Sequence, residues 1–291
     1  MTIINKHLLS ILSIILIVIL GILYFELCIH LKFLGDVSNN IYVYLITTGL
    51  SITIYVRFKN DVKKRGIIQT KYLTPKKLSW QTKIGIIISS FIIGSLLSDP
   101  FPTHTENQHR IEANEKGMNL TTILVSGAIN PGVIEEICFR GILFIIILGS
   151  SSYLVKNLKI NKDWIGLISF FTFSSVFFGF AHVAKSYDIQ NIGGYLVYGI
   201  VFSFIYTLTR DLKLPIAVHI LTNAMSILNR HGMGYISLIL FIALLFLGIY
   251  ALYIKRHNIS GYVNYLVYRA HKKHSQKYLK RKVNEKLLSN N

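Results

Sequence analysis

The chain has 291 residues, of which 52% are hydrophobic and only 15% are charged, and its mean hydropathy is +0.49. This composition is too apolar for a soluble domain of this length. The formal net charge of +18 is of the kind seen in nucleic-acid-binding proteins. In a chain with many apolar runs, this charge instead indicates the orientation of the protein in the membrane and contact with anionic lipid. No nucleic-acid partner is predicted.

Eight apolar runs are long enough, or nearly so, to cross a bilayer as helices. The first is too long for a signal peptide and lacks a small-residue cleavage pattern after it, so we expect a retained anchor. The sequence therefore predicts an all-α fold, a polytopic membrane helical bundle of about eight transmembrane helices. The predicted spans are residues 8–29, 41–57, 84–98, 120–149, 164–182, 192–209, 214–229 and 234–254.

Basic residues are concentrated in every second connection between these runs. The connection after the second run is strongly basic, the polar connection 99–119 is net acidic, and the tail from Lys255 has ten basic residues and one acidic residue. The positive-inside rule then places both termini in the cytoplasm of a multi-pass cell-membrane protein. We expect the basic loops and the tail to bind anionic lipids, the tail as a surface helix.

The distribution of spans and polar residues predicts four regions. Residues 1–119 hold the first three spans and their loops, 120–229 a catalytic core of four helices, 230–254 the last span and 255–291 the basic cytoplasmic tail. Connection 99–119 is expected to be a solvated connector, with a lid or an amphipathic surface segment as alternatives. The two cysteines lie in spans and offer neither a disulfide framework nor a zinc pattern.

The fourth predicted span carries two adjacent carboxylates and an arginine, which inside a membrane indicate function unless they are paired for packing alone. Glu136 and Arg140 are four residues apart, so they share a helix face and can form an ion pair. Glu135 is rotated by about 100° and is expected to face other polar groups. Pro131 and Gly132, one turn earlier, are expected to loosen the helix. The structural alternative is a buried packing network of all three charged residues.

Polar residues also occur in two later spans. His182 ends the fifth span, and His219 and Asn223 lie four residues apart in the seventh, so that they share a face. Either histidine alone is more often a packing or interfacial residue. Together with Glu135 they predict a site built between helices.

This set of residues is suited to hydrolysis. Glu135 can act as a general base on a water molecule, with His182 orienting that water or sharing its proton. His219 and Asn223 can donate hydrogen bonds to the oxyanion of a tetrahedral intermediate. No serine, cysteine or threonine nucleophile is required.

The same residues resemble the three motifs of the CPBP intramembrane proteases. The motifs are spread in the family's order over about residues 120–229, as Glu135-Glu136-x-x-x-Arg140, Phe178-x-x-x-His182 and His219-x-x-x-Asn223. The family includes type II CaaX prenyl endopeptidases and bacteriocin-processing or self-immunity proteins. The resemblance implies a glutamate-dependent intramembrane endopeptidase, with catalytic residues Glu135, His182, His219 and Asn223 and supporting residues Glu136, Arg140 and Phe178.

The expected substrate is a membrane-associated peptide or protein, such as a pheromone or bacteriocin precursor. No prenylated substrate is expected, because the Ile-, Lys- and Asn-rich composition is typical of an AT-rich bacterial genome. A non-enzymatic membrane scaffold or bacteriocin-type immunity protein is the second hypothesis. A proton-coupled transporter is the third, but the chain shows neither repeat symmetry nor paired broken helices.

No cofactor is predicted. The family was long labelled a metalloprotease group, and Glu135, His182 and His219 are the residues that would ligate zinc. The chain contains no His-Glu-x-x-His motif and no compact metal spacing. A zinc-dependent intramembrane peptidase is therefore kept as the alternative.

The depths of the two histidines conflict in a bundle of straight, upright helices. If the fifth span starts near Trp164, His182 lies about 27 Å along it. His219 lies early in the seventh span. Both can meet Glu135 only if helices tilt strongly or the fifth span starts well before the membrane boundary.

Overall fold

The regular structure of the chain is helical. A computed structural model describes residues 3–38, 40–66, 68–101, 105–157, 164–184, 187–254 and 256. No strand occurs within these ranges, which confirms the predicted all-α class. The predicted surface helix of residues 257–291 lies outside them.

Each predicted span lies on a helix, and a short helix and a polar helix occur in two connections. Within the described ranges, five helices, α1, α2, α4, α7 and α10, are long and apolar enough to cross a membrane, so a helical membrane bundle is confirmed, while the number of eight spans stays a prediction. The helices are α1 (Ile3–Ser38), α2 (Ile41–Arg65), α3 (Thr70–Leu73), α4 (Trp80–Ser98), α5 (Glu106–Glu115), α6 (residues 120–157), α7 (Trp164–Val183), α8 (Gly193–Thr209), α9 (Lys213–Arg230) and α10 (Gly234–Ile254).

Helix α6 changes its hydrogen-bonding pattern twice around the carboxylates. Its consecutive segments are Leu120–Leu124 (α), Val125–Ile129 (π), Asn130–Glu136 (α), Ile137–Ile142 (π) and Leu143–Asn157 (α). Such π-helical turns inside α-helices are frequent at functional sites, because they re-aim the side chains that follow.

Pro131 explains the first π-helical turn of α6. Pro131 has no N–H, so the carbonyl of Gly127 loses its α-helical donor. The N–H of Asn130 donates instead to Val125 O, five residues back. The freed Gly127 carbonyl accepts a hydrogen bond from Asn223 Nδ2 at 3.0 Å. The expected loosening next to the carboxylates is therefore present, and α9 satisfies the carbonyl that it exposes.

Helix α6 is the centre of the bundle and packs against α1, α2, α7 and α9. The polar contact with α2 is a set of hydrogen bonds from Asn130 Nδ2, the shortest to Thr48 Oγ1 at 2.9 Å. Close packing with α9 depends on Gly132, where a Cβ atom would lie 2.6 Å from Ile220 Cγ1. Small residues at such crossings let membrane helices approach closely.

His182 and His219 reach Glu135 from different distances along their helices. The contacts Phe144–Phe170 and Phe139–Ser174 show that α7 runs antiparallel to α6, and the contacts Gly132–Ile220 and Gly127–Asn223 show the same for α9. From its first residue, α7 runs 18 residues to His182, about 27 Å, whereas α9 runs six residues to His219, about 9 Å. The two helices therefore begin at unequal distances from Glu135.

The polar connection before α6 contains a capped helix, α5. Thr105 Oγ1 accepts a hydrogen bond from Gln108 N at its start, and Glu115 at its end pairs with Arg230 of α9 at 3.0 Å. Thr105 Oγ1 also lies 2.8 Å from Tyr195 Oη of α8. These contacts hold α5 across the same end of the bundle as the starts of α6 and α8.

Candidate active site

The ion pair predicted between Glu136 and Arg140 is present and fully buried. Glu136 Oε1 and Arg140 Nη1 are 3.0 Å apart, and both side chains have 0% exposure. Arg140 Nη2 donates to Gly199 O at 3.0 Å, and the guanidinium lies 4.4 Å from the ring centre of Phe178 and 5.3 Å from that of Phe202. A buried charge needs such multiple partners to offset its lost hydration.

The same carboxylate holds His219, a contact that the sequence did not reveal. His219 Nδ1 lies 2.9 Å from Glu136 Oε1. Because a carboxylate oxygen accepts, the proton is on Nδ1. The ring stacks on Phe202 with ring centres 4.8 Å apart. Its other nitrogen, Nε2, thereby faces Glu135, at 3.9 Å from Oε2.

His182 is held in the same way from the other side of the site. Its Nδ1 lies 2.8 Å from Phe178 O, and since a carbonyl only accepts, Nδ1 is the donor. The imidazole stacks on Tyr195 with ring centres 4.6 Å apart. His182 Nε2 then lies 3.5 Å from Glu135 Oε2. Phe178 thus makes two contacts in the site: its carbonyl accepts a hydrogen bond from His182, and its ring lies against the Arg140 guanidinium.

Glu135 faces away from the Glu136–Arg140 pair, as its position on the helix predicts. Its Oε1 lies 3.1 Å from Nζ of Lys32, near the end of α1. Its Oε2 is buried and accepts no hydrogen bond within the part of the chain that the structure describes. Lys32 was missed because the first span was predicted to end at residue 29, whereas α1 continues to Ser38.

The formal charges around Glu135 balance. The two carboxylates of Glu135 and Glu136 face the two cations of Lys32 and Arg140. An imidazole nitrogen without a proton is a hydrogen-bond acceptor. Glu135 Oε2 and the Nε2 atoms of His182 and His219 lie at distances that one bridging water molecule can span.

Asn223 lies one turn along α9 from His219 and has a structural partner. One N–H of its amide donates to Gly127 O in the first π-helical turn of α6. A primary amide has two N–H groups, so this bond leaves one donor. No hydrogen bond joins Asn223 to Glu135 or His182 among the described residues.

The three side chains considered for zinc approach each other but do not form a ligand set. Among the described residues, no group of three or more His, Cys, Asp and Glu side chains is arranged to hold a metal ion. Glu135 Oε1 is already paired with the ammonium of Lys32. The side chains present therefore do not fit a zinc site, and the chemistry below uses none.

Comparison with known proteins identifies the segment that contains this site. Residues 117–225 match the family model described as type II CAAX prenyl endopeptidase Rce1-like. The chain is 31% identical over 108 residues to the "Putative membrane peptidase YdiL" of Bacillus subtilis (strain 168). That match covers 37% of this chain and 36% of the relative, so the chain aligns with about a third of that protein's length. No solved structure matches the chain significantly.

Proposed function

We propose that the chain is an intramembrane endopeptidase, on the premise that residues 117–225 match the family model described as type II CAAX prenyl endopeptidase Rce1-like. It hydrolyses a peptide bond in a membrane-associated peptide or protein, with a water molecule activated by Glu135. Both motif histidines and both motif carboxylates lie within the matched segment.

One observation carries the proposal. Glu135 Oε2 is a buried acceptor with no hydrogen bond from a described residue, and it faces Nε2 of His182 and Nε2 of His219. A water molecule that bridges these atoms donates one hydrogen to Glu135 Oε2 and the other to His182 Nε2. Its oxygen lone pairs then point away from the acceptors, towards a substrate carbonyl. This is the geometry that general-base catalysis requires.

The reaction balances with these groups alone. The water oxygen forms a bond to the carbonyl carbon, Glu135 takes the water proton, and the carbonyl electron pair moves to the carbonyl oxygen. When the tetrahedral intermediate collapses, the C–N bond breaks and the leaving amine takes the proton from Glu135. The carboxylate is regenerated, and the products are a new carboxyl terminus and a new amino terminus.

We assign stabilisation of the oxyanion to two groups on α9. Asn223 has the N–H that Gly127 does not use. His219 donates through Nε2 only when that atom carries a second proton, and the Glu136 carboxylate 2.9 Å from its Nδ1 stabilises that protonated form. Donors fixed in this way act on charge that develops in the transition state.

The location of the site supports a membrane-associated substrate. The Glu135 side chain is only 9% exposed and lies between helices of a membrane bundle. A leader or precursor peptide that inserts into the bilayer is the substrate class we propose. From the distribution of charge we also propose that the basic loops bind anionic lipids, that the protein lies in the cell membrane and that both termini are cytoplasmic.

The test compares peptides released by cells that produce the wild-type chain with those released by cells producing Glu135→Gln. The proposal expects peptides that appear only with the wild-type chain. Identical peptide sets at equal protein levels would refute it and favour the membrane scaffold or immunity protein. About one zinc per chain in active purified protein, lost in Glu135→Ala and His182→Ala, would move the mechanism to a zinc peptidase.

A further inference from the structure

Lys32 joins the site from a helix outside the matched family segment. It lies on α1, 103 positions before Glu135, whereas the match begins at residue 117. Lys32 Nζ is 3.1 Å from Glu135 Oε1, and the Lys32 side chain is 29% exposed. The segment that carries the motifs therefore depends on a cation from another part of the chain.

Packing between α1 and α6 fixes the place of this lysine. Phe25 contacts Phe139 edge-on with ring centres 5.6 Å apart, and Cys138 Sγ lies 4.0 Å from Phe25 O. Cys28, one turn before Lys32, is fully buried. A packed helix, and not a loop, therefore holds Lys32 beside Glu135.

The ion pair decides which oxygen of Glu135 is available for chemistry. With Oε1 held by Lys32, the carboxylate is turned so that Oε2 faces His182 and His219. A carboxylate free to rotate about its terminal bond would present both oxygens to either partner. The contact with Lys32 thus selects one of the two orientations of the Glu135 carboxylate.

Lys32 also balances the formal charge of the cluster. Without it, Glu135, Glu136 and Arg140 sum to a net charge of −1. With Lys32 present, the formal charges of the two carboxylates and the two cations sum to zero.

We infer that Lys32 is a positioning residue for Glu135: it turns the carboxylate so that Oε2 faces the two histidines. This inference rests on the function proposed above. It assigns a part of the peptidase mechanism to α1, a helix that carries none of the three motifs.

The test uses purified full-length protein and a synthetic peptide spanning a cleavage site found in the peptide comparison. Lys32→Met is expected to lower kcat by about 100-fold, the loss typical of a misplaced catalytic group. KM should stay within about threefold, because Lys32 acts through Glu135 and not on the substrate. Lys32→Arg keeps the cation and should retain kcat within about tenfold of wild type. If Lys32→Met is not recovered from membranes, Lys32→Gln takes its place.

Lys83→Met is the matched control. Lys83 pairs with Asp211 at 2.8 Å, and the two side chains are 37% and 7% exposed, close to the 29% and 9% of Lys32 and Glu135. The change therefore removes a comparable ion pair, between α4 and the turn that joins α8 to α9, away from Glu135. Its kcat should equal that of wild type. Unchanged kcat in Lys32→Met, or a loss as large in Lys83→Met, would overturn the inference.

A stability measurement separates this inference from the proposed function. Melting temperatures of Lys32→Met, Glu135→Gln and the double variant form a cycle that does not depend on activity. The inference expects the double variant to lose less than the sum of the single losses. Additive losses of melting temperature would show that Lys32 and Glu135 are not paired, even if the peptidase is active. Coupled losses with no peptide cleaved by the wild type would instead refute the proposed function.

Discussion

Glu136 accepts a hydrogen bond from His219 over 2.9 Å, and this bond joins the first motif on α6 to the third motif on α9. The same oxygen, Oε1, also pairs with Arg140 at 3.0 Å. One buried carboxylate therefore stabilises the bundle and holds a histidine of the site. Loss of Glu136 should damage folding and catalysis together, whereas loss of Arg140 should act mainly on folding.

Variants of the buried ion pair test this division. Glu136→Leu or Arg140→Met alone leaves a charge buried without its partner, and either should cost about 3–5 kcal/mol of folding free energy. The double variant Glu136→Leu/Arg140→Met should recover part of the folded protein but remain inactive, because His219 has lost its anchor. Unfolding in detergent measures the coupling. A double variant no more stable than the sum of the single losses predicts would disprove the pairing.

The oxyanion role of α9 predicts effects on turnover rather than on affinity. His219→Ala and Asn223→Ala should each lower kcat by about 10²–10³-fold, the value of one oxyanion donor. Asn223→Ala should also lose about 1 kcal/mol of stability, because Gly127 O loses its hydrogen bond. Steady-state kinetics on the identified peptide separates the two parameters. A rise in KM alone in both variants would show that these residues bind substrate.

Close packing at Gly132 predicts a second way to misplace His219. An alanine Cβ there would lie 2.6 Å from Ile220 Cγ1 and 3.3 Å from Ile220 N, so α9 must shift. Gly132→Ala should cost about 1–3 kcal/mol and reduce kcat. Gly49→Ala is the control, since its Cβ meets nothing within 4 Å and the change should stabilise α2 by about 1 kcal/mol. Equal kcat in the two variants would show that α9 is not held by this contact.

Local spacing made several features of the molecule predictable. The four-residue interval predicted the Glu136–Arg140 pair, and the apolar runs predicted the long helices but not α3 and α5. The three motifs predicted the family resemblance, which the match over residues 117–225 confirms. Proline at position 131 predicted a disturbed helix because its missing N–H is a local property.

The contacts between distant helices were not predictable from spacing. Nothing in the sequence around Lys32 indicates that it meets Glu135, and the same holds for His219 and Glu136. Both pairs depend on how α1 and α9 pack along α6. The position of Lys32, one turn beyond a predicted span, indicates only that it reaches the bundle interior if the helix continues, and it does not identify Glu135 as the partner. The sequence also did not show that α7 begins farther from Glu135 than α9 does, which is how His182 and His219 can both reach it.

The central claim is that Glu135 activates the attacking water, and turnover by purified Glu135→Gln tests it most directly. Glu115→Gln is the matched control, because Glu115 is also 9% exposed and pairs with a cation, Arg230, at 3.0 Å. The account predicts that kcat on the identified peptide falls by about 10²–10⁴-fold in Glu135→Gln. The variant should remain folded, with a melting temperature lowered only by the loss of the Lys32 ion pair. Glu115→Gln should keep wild-type turnover. Near-normal turnover by folded Glu135→Gln would contradict the account.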